Sequence, residues 1–131
     1  MIKRRITRQI EVGNVKIGGG APISIQSMTN TVTSNVKATV SQIRSLESAG
    51  CEIIRVAIKD ANDARSVREI KRKIGIPIVC DIHFNHLLAL EAIKNGADKI
   101  RLNPGNIRKA DDIGLVIKAA KKAGIPIRIG V

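Results

Sequence analysis

Three arginines lie in short apolar segments that recur along the chain. Arg55 and Arg101 occupy matching positions in two similar heptads, GCEIIRV at 50–56 and GADKIRL at 96–102, and Arg128 lies in the later segment IPIRI. Guanidinium groups suit phosphate oxygens because they donate paired hydrogen bonds in a planar fork. We expect the three arginines at equivalent depths in three strands, converging on one anion. Asp81 is the only carboxylate expected on that face, so an anionic substrate is favoured over internal ion pairing.

More polar side chains follow the predicted strands. Asp81 and His83 are two residues apart in DIHF, which predicts a carboxylate and an imidazole on one strand face, suited to binding hydroxyls or moving a proton. Asn103 belongs to RLNPGN, which runs from a strand end into a tight turn; a turn chosen only for its backbone geometry is the alternative. The stretch after the first strand adds Gln26, Met28, Thr29 and Asn30. Such polar loops commonly form sites.

Five strands separated by helical patterns must position these side chains. The strands are predicted at 21–26, 50–56, 76–81, 96–102 and 125–129. Helices are predicted at 36–48, from about 60 to 74, from 85 to 94 and from 111 to 123, with asparagine or aspartate at several starts and glycine after each end. This alternation is typical of βα units, and therefore of an α/β protein with a parallel sheet.

Every second strand position is apolar, and this set is expected to face the helices. Its members are Ile23, Ile25, Ile54, Val56, Ile78, Cys80, Ile82, Ile100, Leu102, Ile127 and Ile129. The opposite set turns polar toward the carboxyl end of each strand. An open doubly wound sheet would need two apolar faces, whereas a (β/α)₈ barrel encloses one face as an interior, with its site at the carboxyl ends of the strands. The pattern predicts a barrel.

Length and the N-terminal stretch define how much of a barrel to expect. A complete barrel takes about 250 residues, and this chain has 131. We expect residues 1–131 to be the N-terminal portion of a substrate-binding barrel, with four βα units and a fifth strand across 21–131. Residues 6–17 alternate around Gly13-Asn14 and predict a hairpin that caps the barrel floor.

Composition narrows the possible partners. The formal net charge is +12, yet Phe84 is the only aromatic residue, which disfavours a base-stacking nucleic-acid platform. Much of the charge is expected on solvated helix surfaces. Cys51 and Cys80 are predicted to be buried packing residues, without a disulfide or metal role. No signal peptide or membrane-spanning run is recognised, so a cytoplasmic protein without a membrane or nucleic-acid partner is expected.

Five motifs resemble the 4-hydroxy-3-methylbut-2-enyl diphosphate synthases of the non-mevalonate isoprenoid pathway. They are GNVKIG at 13–18, QSMTNT at 26–31, DIHF at 81–84, RLNPGN at 101–106 and IRIGV at 127–131. The resemblance spans nearly the whole chain in the right order, and it corresponds to about the first third of such an enzyme. It implies part of an oxidoreductase that reductively opens 2-C-methyl-D-erythritol 2,4-cyclodiphosphate to 4-hydroxy-3-methylbut-2-enyl diphosphate.

The resemblance also implies cofactors and partners. In the family, ferredoxin or flavodoxin supplies two electrons through a [4Fe-4S] cluster that a separate iron-sulfur domain holds. That domain closes over the barrel of the other subunit in a homodimer. We therefore expect no metal or cofactor on this chain and no activity from it alone.

Site residues follow from the same resemblance. Arg55, Arg101 and Arg128 would bind the diphosphate, Asn103 and Asp81 would orient the substrate, and His83 would serve as a nearby polar or proton-relay group. Gln26, Met28, Thr29 and Asn30 would line the mouth. The alternatives are a pterin-binding barrel similar to dihydropteroate synthase, and a non-catalytic basic fragment that binds anionic polymers.

Overall fold

The computed structural model describes residues 2–130, which form seven strands and four helices. The elements are β1 (Ile10–Val12), β2 (Val15–Ile17), β3 (Gln26–Met28), α1 (Val36–Ser48), β4 (Ile53–Ile58), α2 (Ala61–Lys73), β5 (Ile78–Ile82), α3 (His86–Lys94), β6 (Lys99–Leu102), α4 (Ala110–Ala123) and β7 (Ile127–Ile129). Strands β3 to β7 form one parallel sheet in chain order. The predicted α/β fold with successive βα units of a partial barrel is confirmed. Met1 and Val131, the last residue of the IRIGV motif, lie outside the described residues.

Local signals explain where the helices begin and end. The side chains of Asn35, Asp60 and Asn85 accept hydrogen bonds from backbone N–H groups three residues later, so they cap α1, α2 and α3 as N-cap residues should. Gly50 and Gly96 follow α1 and α3 with φ of 102° and 97°. The left-handed conformation at both glycines favours a residue without a Cβ.

The repeated heptad begins with the same helix-terminating turn in both copies. After Gly50, the Cys51 N–H bonds the Leu46 carbonyl at 3.0 Å; after Gly96, the Ala97 N–H bonds the Ala92 carbonyl at 3.1 Å. Together with the glycine N–H bonds to Glu47 and Ile93, these are Schellman motifs. Each heptad therefore ends one helix and starts the next strand, and strands β4 and β6 begin three residues after the glycine.

The helix-facing apolar set forms the core in the middle of the sheet. Its buried members are Ile54, Val56, Ile78, Cys80, Ile82, Ile100 and Leu102. At the edges the same set is not buried, because Ile23, Ile25 and Ile129 are 85%, 59% and 63% exposed. The first parallel strand begins only at Gln26, and β3 and β7 each have a neighbouring strand on one side only. Side chains near such edges lack half of the neighbours that bury a central strand.

The N-terminal hairpin covers the base of the other face of the sheet. Strands β1 and β2 pair antiparallel, and Val12 is fully buried against Ile53 and Val79. Ile53 and Val79 alternate with the helix-facing residues, so they point into the prospective interior. Gly13 turns directly over Pro77, where an added Cβ would lie 2.9 Å from the proline Cγ. The hairpin therefore lies at the N-terminal end of the interior face, and its strands begin at Ile10, four residues after the start of the predicted stretch.

Both cysteines are buried, as predicted, at 7% exposure for Cys51 and 0% for Cys80. Burial, followed by the nearby charge of Asp98, raises the pKa of the Cys80 thiol far above its ordinary value. A thiol held protonated is a poor nucleophile and a poor metal ligand. Within residues 2–130, no helix has the length and apolarity needed to cross a membrane.

Candidate functional site

The strand register sets the depth of each interior side chain. Arg101 pairs in register with Asp81 on β5 and with Arg128 on β7. Arg55 pairs instead with Val79, so it lies two residues nearer the N-terminal ends of the strands. The expectation of three equivalent depths is therefore wrong for Arg55. Parallel strands of a closing sheet are staggered, and the matching positions of two similar heptads need not fall in one row.

Asp81 binds two of the three arginines on this face. Its Oδ2 atom accepts hydrogen bonds from Nε of Arg55 at 3.1 Å and from Nη2 of the same guanidinium, and its Oδ1 accepts from Nη1 of Arg101 at 3.1 Å. The Asp81 side chain is 3% exposed, whereas Arg55 and Arg101 are 23% and 19% exposed. Internal ion pairing, the less favoured interpretation of the sequence, is thus present for two of the three arginines.

The charge of these arginines decides the ionisation of Asp81. Burial alone raises the pKa of this carboxyl, but the hydrogen bonds and positive charges of Arg55 and Arg101 outweigh it, so the pKa is lowered overall. The carboxylate is therefore ionised at neutral pH. It holds two guanidinium groups side by side on the interior face.

His83 and Asn103 lie one row further toward the carboxyl ends. The Nε2 atom of His83 is 3.4 Å from Oδ2 of Asp81, and its ring packs edge-on against Phe84. The side chain of Asn106 donates a 2.7 Å hydrogen bond to the backbone carbonyl of His83. Asn103 accepts from the N–H of Gly105 at 2.9 Å, so its side-chain oxygen shapes the turn. The predicted Asp81–His83 proximity is present.

The loop after β3 contributes unevenly to this face. Met28 pairs in register with Arg55, and the Thr29 N–H bonds the Arg55 carbonyl at 3.0 Å, so both lie beside the arginine. The Thr29 hydroxyl is buried and has no hydrogen-bond partner among the described residues. Asn30 instead exchanges two hydrogen bonds with Gln42 of α1. Gln26 is exposed at the start of the edge strand.

Lys99 is the interior residue that the sequence analysis did not single out. It pairs in register with Val79, which places it in the same row as Arg55, and it is 8% exposed. Burial, followed by the positive charge of Arg128, lowers the pKa of the Lys99 ammonium. The alternation of strand residues already put Lys99 on the polar face, but nothing in the sequence distinguished it from the other basic residues.

The described residues offer no metal-ligating cluster on this face. Residues 2–130 contain no group of three histidine, cysteine, aspartate or glutamate side chains that could hold a metal ion. With both cysteines buried in the helix-side core, the described residues do not fit a [4Fe-4S] cluster. A surface cavity of about 790 Å³ lies far from these residues, between α1 and the end of α2, where Lys37, Arg44 and Lys73 line it.

Comparison with known proteins identifies the family. The family model described as the GcpE TIM-barrel domain matches residues 7–131. The chain belongs to this family. It is 59% identical, over its whole length, to a 4-hydroxy-3-methylbut-2-en-1-yl diphosphate synthase (flavodoxin) from Caldanaerobacter subterraneus subsp. tengcongensis, and 60% identical to one from Thermodesulfovibrio yellowstonii. It spans 37% and 38% of the lengths of these GcpE relatives. The resemblance found in the sequence is confirmed.

Solved structures support the barrel architecture of the GcpE domain. Dihydropteroate synthase from Yersinia pestis superposes with a TM-score of 0.68 at 15% identity, covering 92% of this chain and 45% of that one. The enzyme from Vibrio fischeri ES114 gives 0.67 at 16% identity, covering 94% and 48%. At this identity the likeness shows a shared fold alone. It therefore lends no specific support to the pterin-binding alternative.

Proposed function

We propose that this chain is the substrate-binding part of a 4-hydroxy-3-methylbut-2-en-1-yl diphosphate synthase, and that its interior face holds 2-C-methyl-D-erythritol 2,4-cyclodiphosphate by the diphosphate. The observation that carries the proposal is a cluster of three arginines, two of them bound to one carboxylate, on the prospective interior face of residues 2–130. The arginines are Arg55, Arg101 and Arg128, and the carboxylate that binds Arg55 and Arg101 is Asp81. The names of the relatives support the choice of reaction.

The cluster suits a diphosphate in both charge and geometry. Asp81 engages Arg55 and Arg101 through some of their donors, and each guanidinium carries further N–H groups that can bind an anion. Arg128 is in register with Arg101 on the neighbouring strand and is exposed. Two adjacent guanidinium groups can therefore face the same phosphate group. Such charge-assisted hydrogen bonds are about twice as strong as neutral ones.

The positive charge of the arginines would assist the opening of the cyclic diphosphate ring. Breaking the carbon–oxygen bond that closes the cyclic diphosphate leaves more negative charge on the released phosphate oxygen. Arg101, held in place by Asp81, and Arg128 on the neighbouring strand would stabilise that charge, which favours the transition state over the ground state. Asp81 would keep the Arg55 and Arg101 guanidinium groups oriented, and His83, beside Asp81, would bind a substrate hydroxyl.

The remaining parts of the reaction would come from outside this chain. A [4Fe-4S] cluster held elsewhere in the full-length enzyme would supply the two electrons, because the described residues contain no group that could hold a metal ion. Flavodoxin is the expected electron donor because it stands in the names of the relatives. A homodimer in which the cluster-bearing domain closes over this face, and a cytoplasmic location, are further parts of the proposal.

Calorimetric titration of the cyclic diphosphate into the 131-residue chain tests the proposal. The Arg101→Met variant removes one charged donor set from the face, and affinity should fall by about tenfold or more because a charged hydrogen bond contributes about 1.5–3 kcal/mol. Arg65→Met, on the exposed side of α2, is the matched control and should bind normally. Equal affinity of Arg101→Met and the parent chain would refute the site. Salt-steep, length-dependent binding of DNA instead would favour a basic polymer-binding fragment.

A further inference from the structure

Lys99 occupies an unusual position for a lysine. It is the first residue of β6, it lies on the interior face, and only 8% of its surface is exposed. Lysine is almost never fully buried unless it is paired. Within residues 2–130, however, Lys99 forms no salt bridge, and the one carboxylate on this face is bound to Arg55 and Arg101. Among the described residues its ammonium group therefore has no acidic partner.

The length of the lysine side chain determines which groups its charge can reach. Lys99 lies one interior row below Arg101 and Arg128, and this step of two residues along a strand spans roughly 6.6 Å. The four methylene groups of lysine can cover most of that rise while they pack against apolar neighbours. Val79 is the register neighbour that offers such a surface. The proximity of Arg128 is also evident from its effect on the pKa of Lys99.

We propose that Lys99 is a further substrate-binding residue, and that its ammonium group forms the deepest contact of the anion site by binding, together with Arg128, the phosphate group that enters furthest. This inference rests on the proposed function, because it assigns a fourth cation to the same diphosphate. A bound phosphate would supply the counter-charge that the described residues do not provide. It would also stabilise the charged form of Lys99 in its buried position.

Melting temperatures distinguish a substrate-binding role for Lys99 from a structural one. If Lys99 stabilised the fold, replacing it would lower the melting temperature; if it binds substrate, replacing it should not. A largely buried lysine side chain without an acidic partner gains no ion-pair energy from the fold, and an apolar side chain of similar volume is commonly neutral or stabilising in its place. Methionine has nearly the length and shape of the lysine stem. The Lys99→Met variant should therefore melt at a higher temperature than the parent chain when no anion is present. It should also lose part of the stabilisation that an added anion gives, since a ligand stabilises the folded chain by RT ln(1 + [L]/Kd) and weaker binding makes this smaller.

The test uses inorganic diphosphate, with thermal melts and calorimetric titration on the 131-residue chain. Lys99→Met should bind diphosphate about tenfold more weakly than the parent chain and melt higher in its absence. Lys118→Met removes an equal charge from the exposed surface of α4, and it should bind diphosphate as the parent does. Unchanged diphosphate affinity in Lys99→Met would overturn the inference. If the variant with unchanged affinity also melted at a lower temperature than the parent, Lys99 would have a structural role instead.

The Arg101→Met and Arg128→Met variants separate failure of this inference from failure of the proposed function. If they weaken diphosphate binding while Lys99→Met does not, the anion site stands and Lys99 has no part in it. If the parent chain itself binds neither inorganic diphosphate nor the cyclic diphosphate, the proposed function and this inference are both overturned.

Discussion

Arg101 and Asp81 are register partners on adjacent parallel strands, and their side chains form a salt bridge with 3.1 Å between Nη1 and Oδ1. The same carboxylate binds Arg55 from the other side, so one buried anion fixes two guanidinium groups. An anion that binds there meets donors already held in place, which lowers the entropic cost of ordering them. The relationship gives Asp81 a measurable role in stability and in binding.

Asp81→Asn should lower the free energy of unfolding by about 2 kcal/mol, because two guanidinium groups lose their only ionic partner among the described residues. The loss should stay below the range for fully buried pairs, since both arginines are about one-fifth exposed. Urea unfolding followed by circular dichroism measures the change. Glu69→Gln, which breaks a surface pair with Lys73, is the control and should cost no more than about 0.5 kcal/mol. Equal losses in the two variants would contradict the role of Asp81.

Acid should remove the same stabilisation from the parent chain. The pKa of Asp81 in the folded chain lies below its ordinary value of 3.8, because the two arginines outweigh the effect of burial. A carboxyl with a lowered folded pKa stabilises the fold above its unfolded pKa, and this contribution disappears as the pH falls through the folded pKa. The stability difference between the parent and Asp81→Asn should therefore shrink as the pH falls below 3.8 and through the lower folded pKa. Unfolding titrations that give a constant difference over this range would contradict the prediction.

Asn106→Ala should loosen the loop that carries His83. The hydrogen bond from the Asn106 side chain to the His83 carbonyl joins the loop after β6 to the loop after β5. Its loss should cost about 1 kcal/mol and speed amide exchange in residues 83–86. Hydrogen exchange followed by NMR measures this effect. Asn62→Ala, at an exposed position of α2, should leave amide exchange in residues 83–86 unchanged. The same result for Asn106→Ala would contradict a stabilising role for this hydrogen bond.

Val12→Ala tests whether the N-terminal hairpin is part of the folded unit. Val12 is fully buried against Ile53 and Val79, so deleting its two methyl groups should cost about 2 kcal/mol. Val32→Ala is the control, because Val32 is 69% exposed and its truncation should change stability by less than about 0.5 kcal/mol. Urea denaturation compares the two. A hairpin that packed only loosely would give the same small effect in both variants.

The sequence predicted those parts of the fold that depend on local interactions. Asn35, Asp60 and Asn85 cap helices by bonding backbone groups three residues away, and Gly50 and Gly96 end helices through their own conformation. Such signals lie within one turn of chain, so a sequence displays them directly. The partial barrel followed because the alternation of apolar residues in the central strands survives in the structure.

The parts that failed depend on contacts between distant segments. The depth of Arg55 relative to Arg101 is set by the register of β4 against β5 and of β5 against β6, which the repeat of the heptad does not encode. The exposure of Ile23 and Ile25 reflects the edge position of β3. Lys99 was visible as an interior residue, but its burial and its lack of an ionic partner emerge only when the strands are placed side by side.

The hairpin at the floor also has an electrostatic consequence. Val12 and Ile53 place hydrocarbon, not water, beneath the row that holds Arg55 and Lys99, and Val79 lies within that row. Attraction between opposite charges grows as the local dielectric constant falls, by several-fold between bulk water and an effective value of about 20. The apolar hairpin is therefore expected to lower the local dielectric constant and so to strengthen the electrostatic attraction between these cations and an anion.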